Sequence, residues 1–239
     1  MTEAASHAGV RKTTTPRMLD LTPELVARIP ARIRDPGPMA DIAAMQSAGV
    51  QAETLRTVLA ARPDPAAFWV FAFGSLMWRP DFAFEEERRA RVHGWHRAFC
   101  LGPDTRYRGN PQNPGIMLSL DRGGSCEGVA FRLAEAGLSG HLAGLIEREP
   151  PIPPAWVQAE TEVGTVPALA FVCIPGGPGY VGDMTQEEVA RQIAPAVGMF
   201  GSMADYVHNT ARHLEEMGID DPAVWRMQAL VAAELEAMP

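Results

Sequence analysis

The chain is poor in lysine, since Lys12 is the only one among 239 residues. A pyridoxal Schiff base, a Walker A loop and a lysine nucleophile each require a lysine in a folded region. Residues 1 to about 17 are polar and contain few large apolar side chains, which predicts no regular structure around Lys12. These three chemistries are therefore excluded. A dinucleotide-binding fingerprint is missing as well, because no G-x-G-x-x-G sequence directly follows a predicted strand and opens a helix.

Cysteine is also scarce, and Cys100, Cys126 and Cys173 lie far apart without a C-x-x-C pair. An odd number of widely spaced cysteines supports neither a disulfide framework nor a cysteine-rich zinc site. We interpret all three as buried reduced thiols. No activating histidine is indicated for any of them, so they are weak candidates for a catalytic nucleophile.

Basic charge is outweighed by acidic charge, and the formal net charge is -8. Nucleic acids and anionic membranes select a basic face, so neither is an expected partner. Arg11 and Lys12 are not followed by the apolar segment of a secretory signal. The uncharged stretch 163–182 is interrupted by prolines and glycines, which argues against a membrane-spanning helix. We expect a cytoplasmic protein whose partner is a small molecule.

The first part of the chain has a helical pattern. Thr22 and Pro23 are typical of a helix start, and the apolar spacing predicts a helix within Leu21–Arg34 that Pro30 limits. A second helix is predicted over Met39–Ala61, and its apolar face consists of Ile42, Met45, Leu55, Val58 and Leu59. We assign residues 1–66 to a disordered N-terminus and an α-helical extension of the main domain.

Residues 67–239 combine short strands with helices. Strands are predicted over Ala90–Leu101, Gly115–Leu120, Gly128–Leu133, Gln158–Glu162 and Ala168–Ile174. Asp121–Gly124 predicts a hairpin turn because its glycines can adopt positive φ. Helices are predicted over Leu138–Glu149, Asp205–Met217 and Val224–Met238. A further helix is predicted to begin at Thr185, which forms a capping box with Glu188. This order predicts an α+β fold with a small mixed β-barrel and flanking helices, rather than repeated βαβ units.

The segment Phe68–Trp78 is the most informative stretch of the chain. Its first six residues are almost all apolar, aromatic or β-branched, and Gly74 and Ser75 then interrupt the run. This pattern predicts a fully buried strand that ends in a tight turn. Backbone N–H groups in such a turn can bind a carboxylate or an oxyanion. A core strand closed by an ordinary turn is the alternative.

Two other groups of residues have weaker patterns. Ser75 lacks the second glycine of a G-x-S-x-G nucleophile elbow, so we interpret it as a hydrogen-bonding residue of the turn. His93 and His96 would lie on opposite faces of a strand, and no acidic residue or cysteine stands near them at a ligand spacing. We expect no metal site there, and we expect His96 to form a structural hydrogen bond.

Glu147 and Glu149 flank Arg148 where a predicted helix meets a cluster of prolines. Most such acidic pairs are solvated surface. A glutamate buried among prolines and aromatic residues would instead have its pKa raised towards neutrality, which suits a general base that acts on an amine. On a helix the two side chains point in nearly opposite directions, so one of them at most would face a site.

Several motifs resemble the ChaC-like γ-glutamylcyclotransferases. They are Phe73-Gly74-Ser75-Leu76, Gly94-Trp95-His96-Arg97-Ala98-Phe99-Cys100, Arg108-Gly109-Asn110-Pro111-Gln112-Asn113-Pro114-Gly115, Arg148-Glu149 and Gly201-Ser202-Met203-Ala204-Asp205-Tyr206. Together they extend from about Phe68 to Asp221. The family pattern differs at Phe73, where tyrosine is usual, and at Met203, where asparagine is common. Both differences bear on the choice of substrate.

The resemblance implies a barrel of γ-glutamylcyclotransferase type and the cleavage of glutathione into 5-oxoproline and cysteinylglycine. It implies Glu149 as the catalytic acid/base, and Phe73, Gly74, Ser75, Leu76, Arg108 and Tyr206 as substrate-binding residues. We expect no metal, because the sequence contains no convincing ligand set, and we expect no cofactor. Two alternatives are a cyclotransferase that acts on another γ-glutamyl amine or dipeptide, and a non-catalytic protein that binds a γ-glutamyl metabolite.

Overall fold

The computed structural model describes residues 17–37 and 46–239. Strands β1 to β5 form a closed barrel in the order β1-β3-β2-β4-β5. The barrel is mixed, because β1 pairs antiparallel with β3 and parallel with β5. The predicted fold class, an α+β fold with a small mixed barrel, is therefore confirmed. The strands are β1 (Trp69–Ala72), β2 (Phe84–Asp104), β3 (Gly115–Leu133), β4 (Pro154–Thr161) and β5 (Gly164–Phe171).

Strand β1 is buried on both faces, as its apolar sequence predicts. Trp69 and Phe71 pack with small and β-branched side chains of the other four barrel strands, so they fill the barrel interior. Val70 and Ala72 point to the other side, where they join the larger core between the barrel and the helices. A strand between two apolar layers needs apolar residues at successive positions, which explains the unbroken run.

Strands β2 and β3 form one long ribbon, and the predicted hairpin turn at Asp121–Gly124 is wrong. These residues lie inside β3, so the two predicted strands on either side of them are parts of one strand. Gly123 and Gly124 do have positive φ, of 99° and 64°, but they face a register shift between His93 and Trp95 of β2. The glycines thus form a bulge within the ribbon. A bulge and a hairpin turn both require positive φ at such glycines, so the local sequence alone does not distinguish the two structures.

The helices are α1 (Pro23–Val26), α2 (Ala48–Ala60), α3 (Leu138–Arg148), α4 (Gln186–Ile193), α5 (Met203–Glu216) and α6 (Pro222–Ala237). Helix α1 starts at the predicted cap, Thr22, but is much shorter than Leu21–Arg34. Pro30 explains this, because its ring would clash with the carbonyl of Val26, four residues earlier. Helix α2 ends as predicted, whereas Ile42 and Met45 lie outside the described residues.

The C-terminal helices agree closely with the sequence pattern. The capping box of Thr185 and Glu188 is formed at the start of α4. Gly218 has φ 64° just after α5 and so terminates that helix in the left-handed conformation. A two-stranded sheet, β6 (Val197–Gly198) and β7 (Gly201–Ser202), joins α4 to α5. Within residues 17–37 and 46–239, no helix has the length and apolar character needed to cross a membrane.

Candidate active site

The turn after β1 forms one wall of a cleft of about 1070 Å³. Gly74 precedes a 3₁₀ turn, Ser75–Met77, in which the Met77 N–H donates to the Gly74 carbonyl at 2.9 Å. The first N–H groups of such a turn have no acceptor inside it, so they can bind an anion. The predicted strand and turn are therefore confirmed.

Glycine is favoured at position 74 by the limited space around it and not by a left-handed backbone, since its φ is -129°. A Cβ atom at this position would lie 3.3 Å from the Tyr206 hydroxyl and 3.7 Å from the Leu118 side chain. Glycine thus lets the phenol of α5 approach the turn closely. This contact places one predicted site residue directly beside another.

Glu149 enters the cleft because helix α3 ends immediately before it. Arg148 is the last helical residue, and Glu149 has an extended backbone with φ -74° and ψ 154°. Pro150 accounts for this, because a proline disfavours the helical conformation of the residue before it. The exposed Glu147 remains on the helix and points into solvent. The two glutamates differ in direction, as predicted, but the end of the helix is what turns Glu149 inwards.

The Glu149 carboxyl has the electrostatic surroundings of a proton acceptor. Its side chain is only 16% exposed. Burial raises the pKa of Glu149 to about 7, although the charge of Arg148 acts in the opposite direction. The Nε atom of Arg148 lies 3.8 Å from Oε1 of the Glu149 carboxyl. A carboxyl with this pKa can both accept and return a proton near neutral pH.

Arg148 connects the end of α3 to the turn after β1. Its guanidinium donates to the Ser75 hydroxyl at 3.3 Å, to the Arg79 carbonyl at 2.7 Å and to the Asp81 carboxylate at 2.7 Å. The Ser75 hydroxyl accepts from Arg148, so its own proton is left to donate to another group. Arg148 therefore fixes the turn relative to Glu149. The sequence marked Arg148 as a neighbour of the two glutamates and as part of a family motif, but did not indicate this connecting role.

Tyr206 lies on the first turn of α5 and lines the same cleft. Burial raises the pKa of Tyr206 to about 12, and the nearby charge of Glu149 contributes in the same direction. The phenol therefore keeps its proton at physiological pH and can donate a hydrogen bond to a ligand. The ring of Phe99 packs edge-on against it at 6.4 Å between centroids.

Arg108 reaches the cleft from the loop between β2 and β3. The carboxylate of Asp104 organises this loop, because it accepts from the backbone N–H groups of Arg106, Tyr107 and Arg108 at 2.7 to 3.0 Å. The Arg108 guanidinium then donates to the Asp205 carboxylate at 3.0 Å, and its Cζ lies 5.5 Å from the centroid of the Tyr206 ring.

A buried network behind the turn was missed by sequence reasoning. Arg97 is 2% exposed and donates through Nε to the carbonyl of Phe73 at 2.6 Å. It also binds the carboxylate of Asp221 and the carbonyl of Glu127. Asp221 in turn caps α6 through the Val224 N–H. The signal was present, since Arg97 belongs to the motif Gly94–Cys100, but its partner Asp221 is 124 residues away.

The structure brings all the predicted site residues to one cleft. They are Phe73, Gly74, Ser75, Leu76, Arg108, Glu149 and Tyr206. Of the two positions that differ from the family pattern, Phe73 lines the cleft, whereas Met203 is fully buried and packs near Gly115. The difference at Met203 thus affects packing, and the one at Phe73 faces the site.

The histidines and cysteines named above lie elsewhere. His96 forms the expected structural bond, between Nδ1 and the Gly123 carbonyl at 3.2 Å, and His93 pairs with Glu160 on the surface. The three cysteines are buried and free. In the part of the chain that the structure describes, no three His, Cys, Asp or Glu side chains are grouped so that they could hold a metal ion.

Comparison with known proteins adds independent evidence. The family model described as "ChaC-like protein" matches residues 68–234. The glutathione-specific γ-glutamylcyclotransferase of Escherichia coli is 40% identical over 73% of this chain and 77% of its own length. The mouse glutathione-specific γ-glutamylcyclotransferase 1 is 34% identical over 65% of this chain and 73% of its own length. A crystal structure of the yeast γ-glutamyl cyclotransferase specific to glutathione matches with a TM-score of 0.63 and 19% identity, over 71% of this chain and 96% of that one, and supports the fold.

Proposed function

This chain belongs to the family of ChaC-like proteins, and from that premise we propose that it is a γ-glutamylcyclotransferase that cleaves glutathione to 5-oxoproline and cysteinylglycine. The observation that carries the proposal is Glu149, a buried carboxyl in the cleft whose pKa is raised to about 7. Relatives that bear the name of this activity are 34% and 40% identical over most of their length.

The proposed chemistry is intramolecular. The α-amine of the γ-glutamyl group attacks the carbon of its own γ-carbonyl, which forms the lactam C–N bond of 5-oxoproline. The amide bond to the cysteine nitrogen then breaks, and cysteinylglycine leaves as a free amine. Since the nucleophile belongs to the substrate, the protein has to position the chain and move a proton.

Glu149 is the proposed acid/base. In its charged form it accepts a proton from the α-ammonium, which frees the lone pair for attack, and it then returns that proton to the departing amine nitrogen. The attacking nitrogen gives up a second proton when it becomes the lactam N–H, and the free amine of cysteinylglycine takes up one proton to become an ammonium, so the overall reaction neither gains nor loses a proton. A pKa near 7 suits both transfers, because neither the charged nor the neutral form is strongly disfavoured.

The turn after β1 is the proposed anion site. Backbone N–H groups at Gly74, Ser75 and Leu76 would hold the α-carboxylate or the developing γ-oxyanion. The protonated phenol of Tyr206 lies against this turn and would donate a further hydrogen bond. Phe73 and Arg108 complete the proposed binding surface.

The direct test is to incubate the purified protein with glutathione and to measure 5-oxoproline and cysteinylglycine. We expect both products in equal amounts. Products from other γ-glutamyl amines or dipeptides, with none from glutathione, would favour the broader cyclotransferase alternative. Binding of glutathione without any product would favour the non-catalytic alternative. A cytoplasmic location remains a prediction from the sequence.

We also expect turnover without a metal ion, because attack by the substrate's own amine needs proton transfer and does not require a metal-bound nucleophile. The measurement is 5-oxoproline formation before and after exhaustive chelation and dialysis. Activity that disappears on chelation and returns only with added zinc or manganese would contradict this expectation.

A further inference from the structure

Residues 31–37, which we call the strap, are fixed against the cleft from outside the barrel. The Ile33 N–H donates to the carbonyl of Gly198 in β6 at 3.1 Å. Asp35 accepts two bonds from the Arg106 guanidinium, at 2.8 and 2.9 Å. A bidentate pair of this kind defines orientation as well as contact. The strap is therefore held at two points, by the small sheet and by the loop after β2.

The strap forms part of the cleft wall. Ala31 and Arg32 line the cleft together with Tyr107 and Phe200, whose rings stack at 5.3 Å between centroids. The carbonyl of Ala31 and the guanidinium of Arg108 both lie on the same side of Gly201. A Cβ atom built on Gly201 would be 3.5 Å from the Ala31 carbonyl oxygen and 2.7 Å from the Arg108 guanidinium. The strap thus lies beside the Arg108 side of the cleft. It precedes residues 68–234, to which the family model is matched.

Arg32 differs from the other arginines of the cleft. Arg108 is paired with Asp205, and Arg79 and Arg148 both contact Asp81. Arg32 is exposed, and among the described residues no hydrogen bond or ion pair involves it. Its positive charge in the cleft wall is therefore available to an anionic group of a ligand.

The substrate of the proposed function has one anionic group still without a partner. Glutathione has an α-ammonium, an α-carboxylate and a glycine carboxylate. Glu149 is assigned to the ammonium, and the turn after β1 to the α-carboxylate or the oxyanion. The glycine carboxylate belongs to the leaving dipeptide, and a guanidinium is the side chain best suited to bind a carboxylate.

We propose that Arg32 binds the terminal carboxylate of the leaving dipeptide, so that the strap makes the cleft selective for γ-glutamyl peptides over γ-glutamyl amines. This inference rests on the proposed function. It assigns a specificity-determining contact to a segment that lies outside the barrel. Binding of this remote group would orient the γ-glutamyl end towards Glu149.

The test compares two substrates and two variants in the full-length protein. The substrates are glutathione and glutathione amide, in which the glycine carboxylate is replaced by a neutral amide. The variants are Arg32→Gln and Arg34→Gln, since Arg34 is an exposed arginine of the same strap that does not line the cleft. Each is assayed for 5-oxoproline, and kcat/KM is measured for every combination.

We expect Arg32→Gln to lower kcat/KM for glutathione about tenfold, mainly through KM, and to leave glutathione amide unchanged. Wild type should prefer glutathione over the amide by a similar factor, and Arg34→Gln should behave as wild type. An equal loss with both substrates, or no loss with either, would overturn the role of Arg32. Wild-type protein that forms no 5-oxoproline from glutathione would instead overturn the proposed function itself.

Discussion

Glu149 and Glu147 share charge and an arginine neighbour but face different surroundings, which makes them a matched pair for mutation. Glu149→Gln keeps the shape of the side chain and cannot accept a proton. General acid–base catalysis typically contributes about a hundredfold to ten-thousandfold, so we expect this variant to lose at least about two decades of kcat. Glu147→Gln changes an exposed residue and should lose much less.

The measurement is 5-oxoproline formation by both variants, with circular dichroism to show that each is folded. An inactive Glu147→Gln together with an active Glu149→Gln would show that Glu149 is not the acid/base. Glutathione binding by Glu149→Gln is the companion measurement, because loss of proton transfer alone leaves binding possible.

The raised pKa of Glu149 also predicts that the free energy of unfolding of the protein depends on pH. Burial raises the pKa of Glu149 from 4.5 to about 7, so the folded protein holds this proton more tightly than the unfolded chain does. The resulting stabilisation is complete below about pH 4.5 and is lost as the pH rises through about 7. The total is about 3 kcal/mol, of which about 2 kcal/mol falls between pH 5.5 and pH 8.

Glu149→Gln does not ionise, and it should therefore gain about 2 kcal/mol in free energy of unfolding relative to wild type between pH 5.5 and pH 8. Urea unfolding at the two pH values measures this difference. Glu147→Gln is the control and should follow wild type. If the stability difference between Glu149→Gln and wild type is the same at both pH values, Glu149 does not carry a raised pKa in the folded protein.

The turn after β1 depends on the absence of a side chain at Gly74. A valine there would place a Cβ 3.3 Å from the Tyr206 hydroxyl and would add two methyl groups beyond it. We expect Gly74→Val to displace Tyr206 or the turn and to abolish glutathione binding, whereas Gly74→Ala should be affected less. Calorimetric titration with glutathione measures binding, and unchanged affinity in Gly74→Val would remove the turn from the site.

Prolines set the limits of two helices on which the site depends. Pro150 ends α3 so that Glu149 leaves the helix, and Pro30 keeps α1 short so that residues 31–37 are free to lie against the cleft as the strap. In both cases a local steric effect determines which residues face the ligand. The bulge glycines of β3 act differently, because they let the β2–β3 ribbon continue where the sequence predicted a turn.

The segment before the barrel is packed into the molecule as a whole. Leu21 is fully buried, and its N–H donates at 2.9 Å to the side chain of Gln228 in α6. The side-chain amide nitrogen of Gln228 in turn donates to the Asp20 carboxylate at 2.9 Å. Arg28 further donates to the carbonyl of Leu235 at 2.8 Å. The stretch 19–29 therefore shares the core of the C-terminal helices.

We accordingly expect Leu21→Ala to destabilise the whole protein by about 2–5 kcal/mol, the usual cost of truncating a buried leucine. Met18→Ala is the matched control, because Met18 is 89% exposed in the same segment, and it should change stability by less than about 0.5 kcal/mol. Denaturant unfolding measures both. If Leu21→Ala unfolds like wild type, the segment contributes little to the stability of the barrel domain.

The local features of this protein follow from its sequence. A continuous apolar run indicated β1, and apolar residues at helical spacing indicated the C-terminal helices. The cap at Thr22 and the capping box at Thr185 were recognisable because they depend on neighbouring residues. The residues that resemble the family pattern pointed to Glu149 and the turn at Gly74, which the structure brings to one cleft. These signals act over a few residues, within which backbone sterics and periodicity decide the conformation.

Tertiary packing determined which distant residues meet. It joined Arg97 to Asp221 across 124 residues, placed Tyr206 against Gly74, and brought Arg32 to the cleft that contains Glu149. It also converted a predicted hairpin turn into a bulge, because the long pairing of β2 with β3 outweighs the turn preference of two glycines. Such contacts depend on shape and burial summed over the whole core, which no short stretch of sequence contains.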